Sequence, residues 1–149
     1  MQHPKARAAA LHASPEDTEQ QFYEALQSAD LERLMEVWAD EDEISCVHPG
    51  GPRVVGAGAI RAGFEAVFAQ GPIAAHPERV RRLQTNDTAV HQVLERIQVI
   101  GPEGQQSAWV IATNVYLKTA MGWRMIVHHA SPGNAHDIQE VADEPATLH

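Results

Sequence analysis

This chain of 149 residues has few basic residues, one cysteine and no long apolar run. Lysine and arginine total 11 against 20 aspartates and glutamates, and the net charge of −9 argues against a nucleic-acid partner. A single cysteine, Cys46, excludes an internal disulfide and a thiolate metal cluster. Because it lies in an apolar strand, we expect an inert buried thiol. No apolar run is long enough to span a bilayer, so no membrane partner is expected.

Targeting and phosphate-binding signals are also missing. The start of the chain has no sustained apolar core of a signal peptide, which favours a cytoplasmic protein. Gly56-Ala57-Gly58 lacks the third glycine and the βαβ context of a phosphate loop, and no nucleophile elbow is present. The only basic cluster, Arg79-Val80-Arg81-Arg82, would be divided between two faces of a strand and is interpreted as a solvated edge.

What is present is the composition of an ordinary globular domain, with 44% hydrophobic and 21% charged residues. We expect one domain over residues 14–132, a frayed start at 1–13 and an acidic tail at 133–149.

Apolar residues at helical spacing predict three helices near the amino terminus. Ser14 is a predicted N-cap followed by Pro15, and Asp30 begins a second short helix. A third helix is predicted from Gly58 to Gln70. Alternation then predicts strands at Ile44–His48, Ala75–Gln84, Ala89–Ile100, Ser107–Lys118 and Trp123–Ala130.

The last two strands carry apolar residues on both faces, so the sheet should be covered on both sides. Helices that precede an antiparallel meander indicate an α+β domain with the helices on one face of the sheet. Something other than these helices must then cover the opposite face.

Several separated segments resemble one superfamily. The helix-ending Trp38, the segment Ile44–Phe64 and the ending Gly122–Pro132 are similar to the nuclear transport factor 2-like superfamily, and most to its SnoaL-like branch. The same two segments are similar to the association domain of calcium/calmodulin-dependent kinase II. The resemblance covers about Glu16 to Pro132.

The resemblance implies a cystatin-like conical α+β barrel, in which three N-terminal helices pack on a curved antiparallel sheet. It also implies a homodimer formed through the outer face of the sheet. We expect two sets of side chains on the last two strands. The outer set is Trp109, Ile111, Val115, Met125 and Val127, and the set that faces the cone is Asn114, Tyr116, Ile126 and His128.

Histidines are the leading candidates for acid–base chemistry. Catalytic branches of the superfamily use an inward aspartate, and the core strands here contain none, so a histidine would have to replace it. His48, at a strand end, and His128 are the candidate catalytic residues. The candidate ligand-binding residues are Trp38, Asn114, Tyr116 and His129.

Five of these candidates have alternative interpretations. His48 can equally be a structural residue bonded to a loop. For Trp38, a place in the core or on the dimer surface is favoured over a ligand contact. His128 and His129 are neighbours on a strand, so only one can face the cone, and His128 is preferred. Buried Asn114 needs a partner, either a ligand or a group such as Tyr116 or His128.

Other polar residues carry less weight at this point. His91 and Glu95 share a strand face, and a surface pair is favoured over a catalytic dyad. His12 is assigned to the frayed start. The strand histidines lack metal-ligand spacing, so no metal and no cofactor are predicted.

Two functions remain open. One is a SnoaL-like domain whose cone-shaped cavity binds a small apolar or mixed-polarity ligand, as an isomerase, cyclase or dehydratase with a histidine acid/base would do. The alternative is a non-catalytic dimerisation or association module with a vestigial pocket.

Overall fold

A computed structural model describes residues 11–134 and 139–143, which form one layer of helices on one sheet. The helices are α1 (Pro15–Ser28), α2 (Leu31–Glu36) and α3 (Ala57–Phe68). The strands are β1 (Ser45–Val47), β2 (Arg53–Val55), β3 (Ala75–Gln84), β4 (Thr88–Gly101), β5 (Gly104–Thr119) and β6 (Gly122–Pro132). Three helices before a long meander confirm the predicted α+β order. No helix among the described residues is long and apolar enough to cross a membrane.

The helices begin where their capping residues predict. The Ser14 hydroxyl accepts from the Asp17 amide at 3.1 Å, and the Asp30 carboxylate accepts from the Arg33 amide at 3.1 Å. Each bond satisfies one of the amide donors that a helix start leaves unpaired. The third helix begins one residue and ends two residues earlier than predicted.

The six strands form one curved sheet in the order β2-β1-β6-β5-β4-β3. Neighbours are antiparallel except β1 and β6, which are parallel. The strands β2 and β3 are the two edges, so the curved sheet and three helices are as predicted, but the sheet stays open and does not close into the predicted conical barrel. The physical reason is that β2 has only three residues, and nothing in the described chain joins it to β3.

The main core lies between the helices and the inner face of the sheet. Phe22 of α1 lies edge-on to Phe64 of α3, with ring centroids 6.4 Å apart. Tyr116 and Met125 face them from the central strands and are fully buried. The largest buried side chains include Tyr23, Tyr116, Phe22, Phe64, Leu34, Ile44, Ile60 and Met125.

A bulge in β6 changes which residues face inward. Asn114 pairs with His128 and Tyr116 with Met125, so Ile126 is an extra residue without a cross-strand partner. Met125 and His128 therefore both point into the core, although they are three positions apart. The prediction that Met125 lies on the outer face is wrong, since its side chain is 0% exposed.

The expectation for the start of the chain fails at His12. Its side chain is 1% exposed, and its Nδ1 lies 3.0 Å from the Thr18 hydroxyl. Its carbonyl accepts from the Trp123 amide at 2.8 Å, which joins the start of the chain to β6. The frayed start and the acidic tail otherwise fall largely on residues 1–10, 135–138 and 144–149, which lie outside the described residues.

Candidate functional site

A row of polar side chains crosses the inner face of the sheet. Strand register places Cys46 of β1 beside His128 of β6, His128 beside Asn114 of β5, and Asn114 beside His91 of β4. All four residues are buried. Because residues directly opposite on neighbouring strands share a face, this row is a direct result of register.

Four of the buried side chains form one hydrogen-bonded chain. The Tyr23 hydroxyl donates to Glu95 Oε2 at 2.7 Å, and Asn114 Nδ2 donates to the Tyr23 oxygen at 3.0 Å. His128 Nδ1 lies 2.6 Å from Asn114 Oδ1, which can only accept. The proton therefore resides on Nδ1 of His128, and its Nε2 is an acceptor. The prediction that Asn114 requires a buried partner such as His128 is confirmed.

Glu95 belongs to this buried chain, although the sequence favoured a surface pair with His91 over a catalytic dyad. Its side chain is 5% exposed, and this burial raises the pKa to about 7, against the smaller lowering effect of the Tyr23 hydrogen bond. The interpretation of His91 and Glu95 as a surface pair is wrong, because the inner face of β4 is covered by α1. The available signal was alternation, which puts Glu95 on the same face as Val93 and His91.

His128 is held in its neutral form. Burial, with smaller contributions from the neighbouring His48 and His129, lowers its pKa to about 3. At pH 7 its imidazole can hydrogen-bond but carries no charge. The choice of His128 over His129 as the inward residue is confirmed by their burial.

His48 lies at the partly exposed border of this cluster. It follows β1, is half-buried, and meets the Phe64 ring edge-on with centroids 4.8 Å apart. Its ring centroid is 6.5 Å from that of His128, and its Nε2 is 3.8 Å from Cys46 Sγ. Burial lowers the pKa of His48, whereas burial raises the pKa of Cys46 to about 12. The thiol is thus buried, as predicted, and stays protonated at neutral pH.

A second polar cluster lies where α1 covers β4. His91 Nδ1 is 2.8 Å from Glu19 Oε2, and the Arg82 guanidinium lies 3.6 Å from the other Glu19 oxygen. His91 Nε2 is 3.2 Å from Glu16 Oε2, but the angle does not allow a hydrogen bond. The Tyr116 ring lies 5.0 Å from that of His91, and its hydroxyl has no partner among the described residues. Tyr116 is therefore in the interior, as predicted.

Two predicted ligand-binding residues do not join the inner cluster. His129 is exposed, on the opposite side of β6 from His128. Trp38 is buried beside Met125 and lines a pocket of about 360 Å³ together with Asp40, Glu41 and Arg124, none of which belongs to the inner cluster. In residues 11–134 and 139–143, no three His, Cys, Asp or Glu side chains converge as metal ligands.

The architecture and this interior define a class of protein. Helices on one side of a curved sheet enclose a carboxyl, a phenol, an amide and an imidazole in one hydrogen-bonded chain. The chain belongs to the SnoaL-like domain family, whose model matches residues 16–135. Comparison with curated proteins gives no match.

Solved structures agree with this family. A candidate calcium/calmodulin-dependent protein kinase type II association domain from Thiobacillus denitrificans is 36% identical, with a TM-score of 0.73, over 81% of this chain and 96% of that one. A candidate dehydratase of the NTF2-like family from Streptomyces avermitilis is 30% identical, with a TM-score of 0.71, over 88% and 97%. An uncharacterized cystatin-like protein from Caulobacter vibrioides is 17% identical, with a TM-score of 0.68, over 85% and 91%, and supports the predicted cystatin-like fold.

Proposed function

We propose that the protein binds a small molecule beside the hydrogen-bonded side chains of Glu95, Tyr23, Asn114 and His128. Glu95 then exchanges a proton with the bound molecule. The observation that supports this proposal is the buried Glu95 carboxyl, whose pKa of about 7 makes both protonation states available at neutral pH. Such proton exchange is the chemistry of an isomerase, cyclase or dehydratase. Similarity to a candidate dehydratase is consistent with it.

The roles in this proposal follow from charge. Ionised Glu95 accepts a proton from a carbon next to a carbonyl and returns it elsewhere on the same molecule. Tyr23 holds the carboxylate in place, and neutral His128 orients Asn114 through its Nδ1 proton. A ligand without charge suits this interior, because ionised Glu95 would repel an anion. This assignment moves the acid–base role from a histidine to a carboxylate.

His48 is proposed to contact the ligand at the entrance of the site. It is the half-buried member of the cluster, and Phe64 packs against its ring. With its pKa lowered by burial, it is neutral at pH 7 and offers one donor and one acceptor. His48→Ala should weaken ligand binding without disturbing the Glu95 proton.

Hydrogen–deuterium exchange tests the proton transfer without knowledge of the product. The protein is incubated in D₂O with a panel of uncharged carbonyl compounds, and deuterium uptake next to the carbonyl is followed by NMR. Glu95→Gln keeps an acceptor for Tyr23 but cannot carry the proton, so exchange should fall by at least about 100-fold. Glu103→Gln, in the exposed turn before β5, is the matched control. Equal exchange in wild type and Glu95→Gln contradicts the proposal.

The second candidate function is association of two copies through the outer face of the sheet. Ile111 is 40% exposed near the middle of β5, and half-buried Trp109, Val115 and Val127 share its face. Removing such apolar surface from water favours contact with a second sheet. The 36% identity to a candidate association domain supports this proposal.

Light scattering after size exclusion tests association directly. Wild type should show the mass of two chains at micromolar concentration. Ile111→Asp should shift the protein towards one chain, because it buries a carboxylate in the interface, while Glu103→Gln should leave the mass unchanged. A single-chain mass for wild type at every concentration contradicts association.

A further inference from the structure

The outer face of the sheet carries a small apolar patch outside the main core, in which Leu94 is buried and Ile111 is partly exposed. Residues 139–141, called the strap below, line one pocket of about 260 Å³ together with side chains of β3, β4 and β5. Leu94 of β4 lies in this pocket and is only 8% exposed, although it is not part of the core cluster. Ile111, its cross-strand partner on β5, lines the same pocket. The strap is thus positioned to cover an apolar pair on the outer face.

Two arginines of β3 converge on one carboxylate of the strap. Arg81 Nε donates to Glu140 Oε2 at 2.6 Å, and Arg79 Nη1 lies 4.0 Å from the other carboxylate oxygen. The hydrogen bond from Arg81 and the charges of both arginines hold the Glu140 pKa below its ordinary value. Two guanidinium groups around one carboxylate are a recognisable binding geometry for acidic groups.

The backbone of β3 is irregular where these arginines lie. The register with β4 shifts between Glu78 and Arg81, and Arg79 has a φ of 47°. This left-handed conformation is uncommon for a residue with a side chain and is found preferentially at functional sites. The irregularity leaves Arg79 and Arg81 on the strap side, while Arg82 reaches Glu19 on the helix side.

The chain leading to the strap is closely packed against β5. The Gly133 amide donates to the Trp109 carbonyl at 2.8 Å. A Cβ atom at Gly133 would lie 2.9 Å from Trp109 Cβ and 2.7 Å from Gln139 Oε1, which is closer than real side chains approach. The Asn134 amide also donates to Gln139 Oε1, at 2.9 Å. The strap is therefore held at Gly133 by packing and at Glu140 by charge.

We propose that Arg79 and Arg81 form a carboxylate-binding site that holds the strap over Leu94 and Ile111, so that the strap and a second copy of the chain compete for this face. The competition rests on the proposed association through the sheet, whereas the carboxylate site does not. If the protein associates only when its strap is released, its apparent association constant is reduced. The reduction depends on the fraction of molecules in which the strap is released.

Thiol labelling measures release of the strap independently of association. Leu94→Cys places a thiol under the strap, and the native Cys46 is a silent background because it is buried and stays protonated. Labelling is measured with a maleimide at dilutions where the chain is monomeric. Adding Glu140→Gln to the Leu94→Cys protein should raise its labelling rate by about two- to fivefold. This range corresponds to the free energy that exposed ion pairs contribute.

Two further variants separate charge from packing. Asp143→Asn removes a carboxylate from an exposed position of the same segment and should leave the rate unchanged. Gly133→Ala should raise it without any change of charge, because the added methyl group meets Trp109. An unchanged rate with Glu140→Gln overturns the carboxylate site.

Light scattering tests the competition. Because both copies must release their straps, Glu140→Gln should strengthen association by about the square of the rise in labelling, and Asp143→Asn should not change it. If Glu140→Gln leaves association unchanged or weaker, the competition is overturned. If wild type and Glu140→Gln are both monomeric at every concentration, the association proposal and the competition fail together, while the labelling result still decides the carboxylate site.

Discussion

Replacement of Glu95 by glutamine should make the protein more stable at high pH. Glu95 has a pKa of about 7 in the folded chain against an ordinary value of 4.5, so the folded state binds this proton more tightly than the unfolded state. The free energy of unfolding therefore falls as pH rises from 4.5 towards 7 and stays low above it. With about 1.4 kcal/mol for each pH unit, the full loss is about 3 kcal/mol. A neutral glutamine avoids this loss and still accepts from Tyr23.

Urea denaturation between pH 5 and pH 9 measures this effect as a difference between two proteins. The stability of Glu95→Gln relative to wild type should increase by about 2–3 kcal/mol across this range. Other titrating groups contribute to both proteins and cancel in the difference. Glu103→Gln, an exposed glutamate, should give a difference that does not change with pH. If the free energies of unfolding of wild type and Glu95→Gln change with pH in parallel, a raised Glu95 pKa is refuted. The role of Glu95 as the proton carrier is then refuted as well.

Three more predictions concern buried polar groups. Asn114→Ala removes the partner of His128 and one partner of Tyr23, and should lower the free energy of unfolding by at least about 1–3 kcal/mol in urea denaturation. Thr18→Val should cost a similar amount, because the Thr18 hydroxyl donates to the Trp123 carbonyl at 2.7 Å and meets His12; an unchanged urea midpoint would contradict this. Burial lowers the pKa of His12 to about 4 and of His128 to about 3, so both stay neutral when folded. In the Glu95→Gln variant, which lacks the opposing Glu95 titration, stability should fall as pH drops below 6.5, where only the unfolded chain gains these protons. A flat profile of that variant down to pH 4.5 would argue against buried neutral imidazoles.

The elements of this protein were readable from local sequence because their signals are local. Ser14 and Asp30 cap their helices through bonds to residues three positions away. The period-two pattern predicted β3 with the observed bounds and the other long strands within three residues at each end. The inward direction of His128 also followed from alternation.

The candidate site was less predictable, because burial and charge depend on parts of the chain that are far apart in sequence. Tyr23 and Glu95 are separated by 72 positions, and only the packing of α1 on β4 brings them together. That packing turns an apparent surface glutamate into a carboxyl that titrates near neutral pH. His12 likewise became a core residue through contacts with Thr18 and β6.

The sequence by itself determined the α+β order, the helix starts, the long strands and the need of Asn114 for a buried partner, since each depends on neighbours along the chain or on residue type. Only the tertiary structure decided that the sheet stays open, that a bulge at Ile126 turns Met125 inward, and that burial raises the pKa of the Glu95 carboxyl to about 7. A bulge breaks the alternation between the residues before it and those after it, and a pKa reflects the removal of water by distant elements.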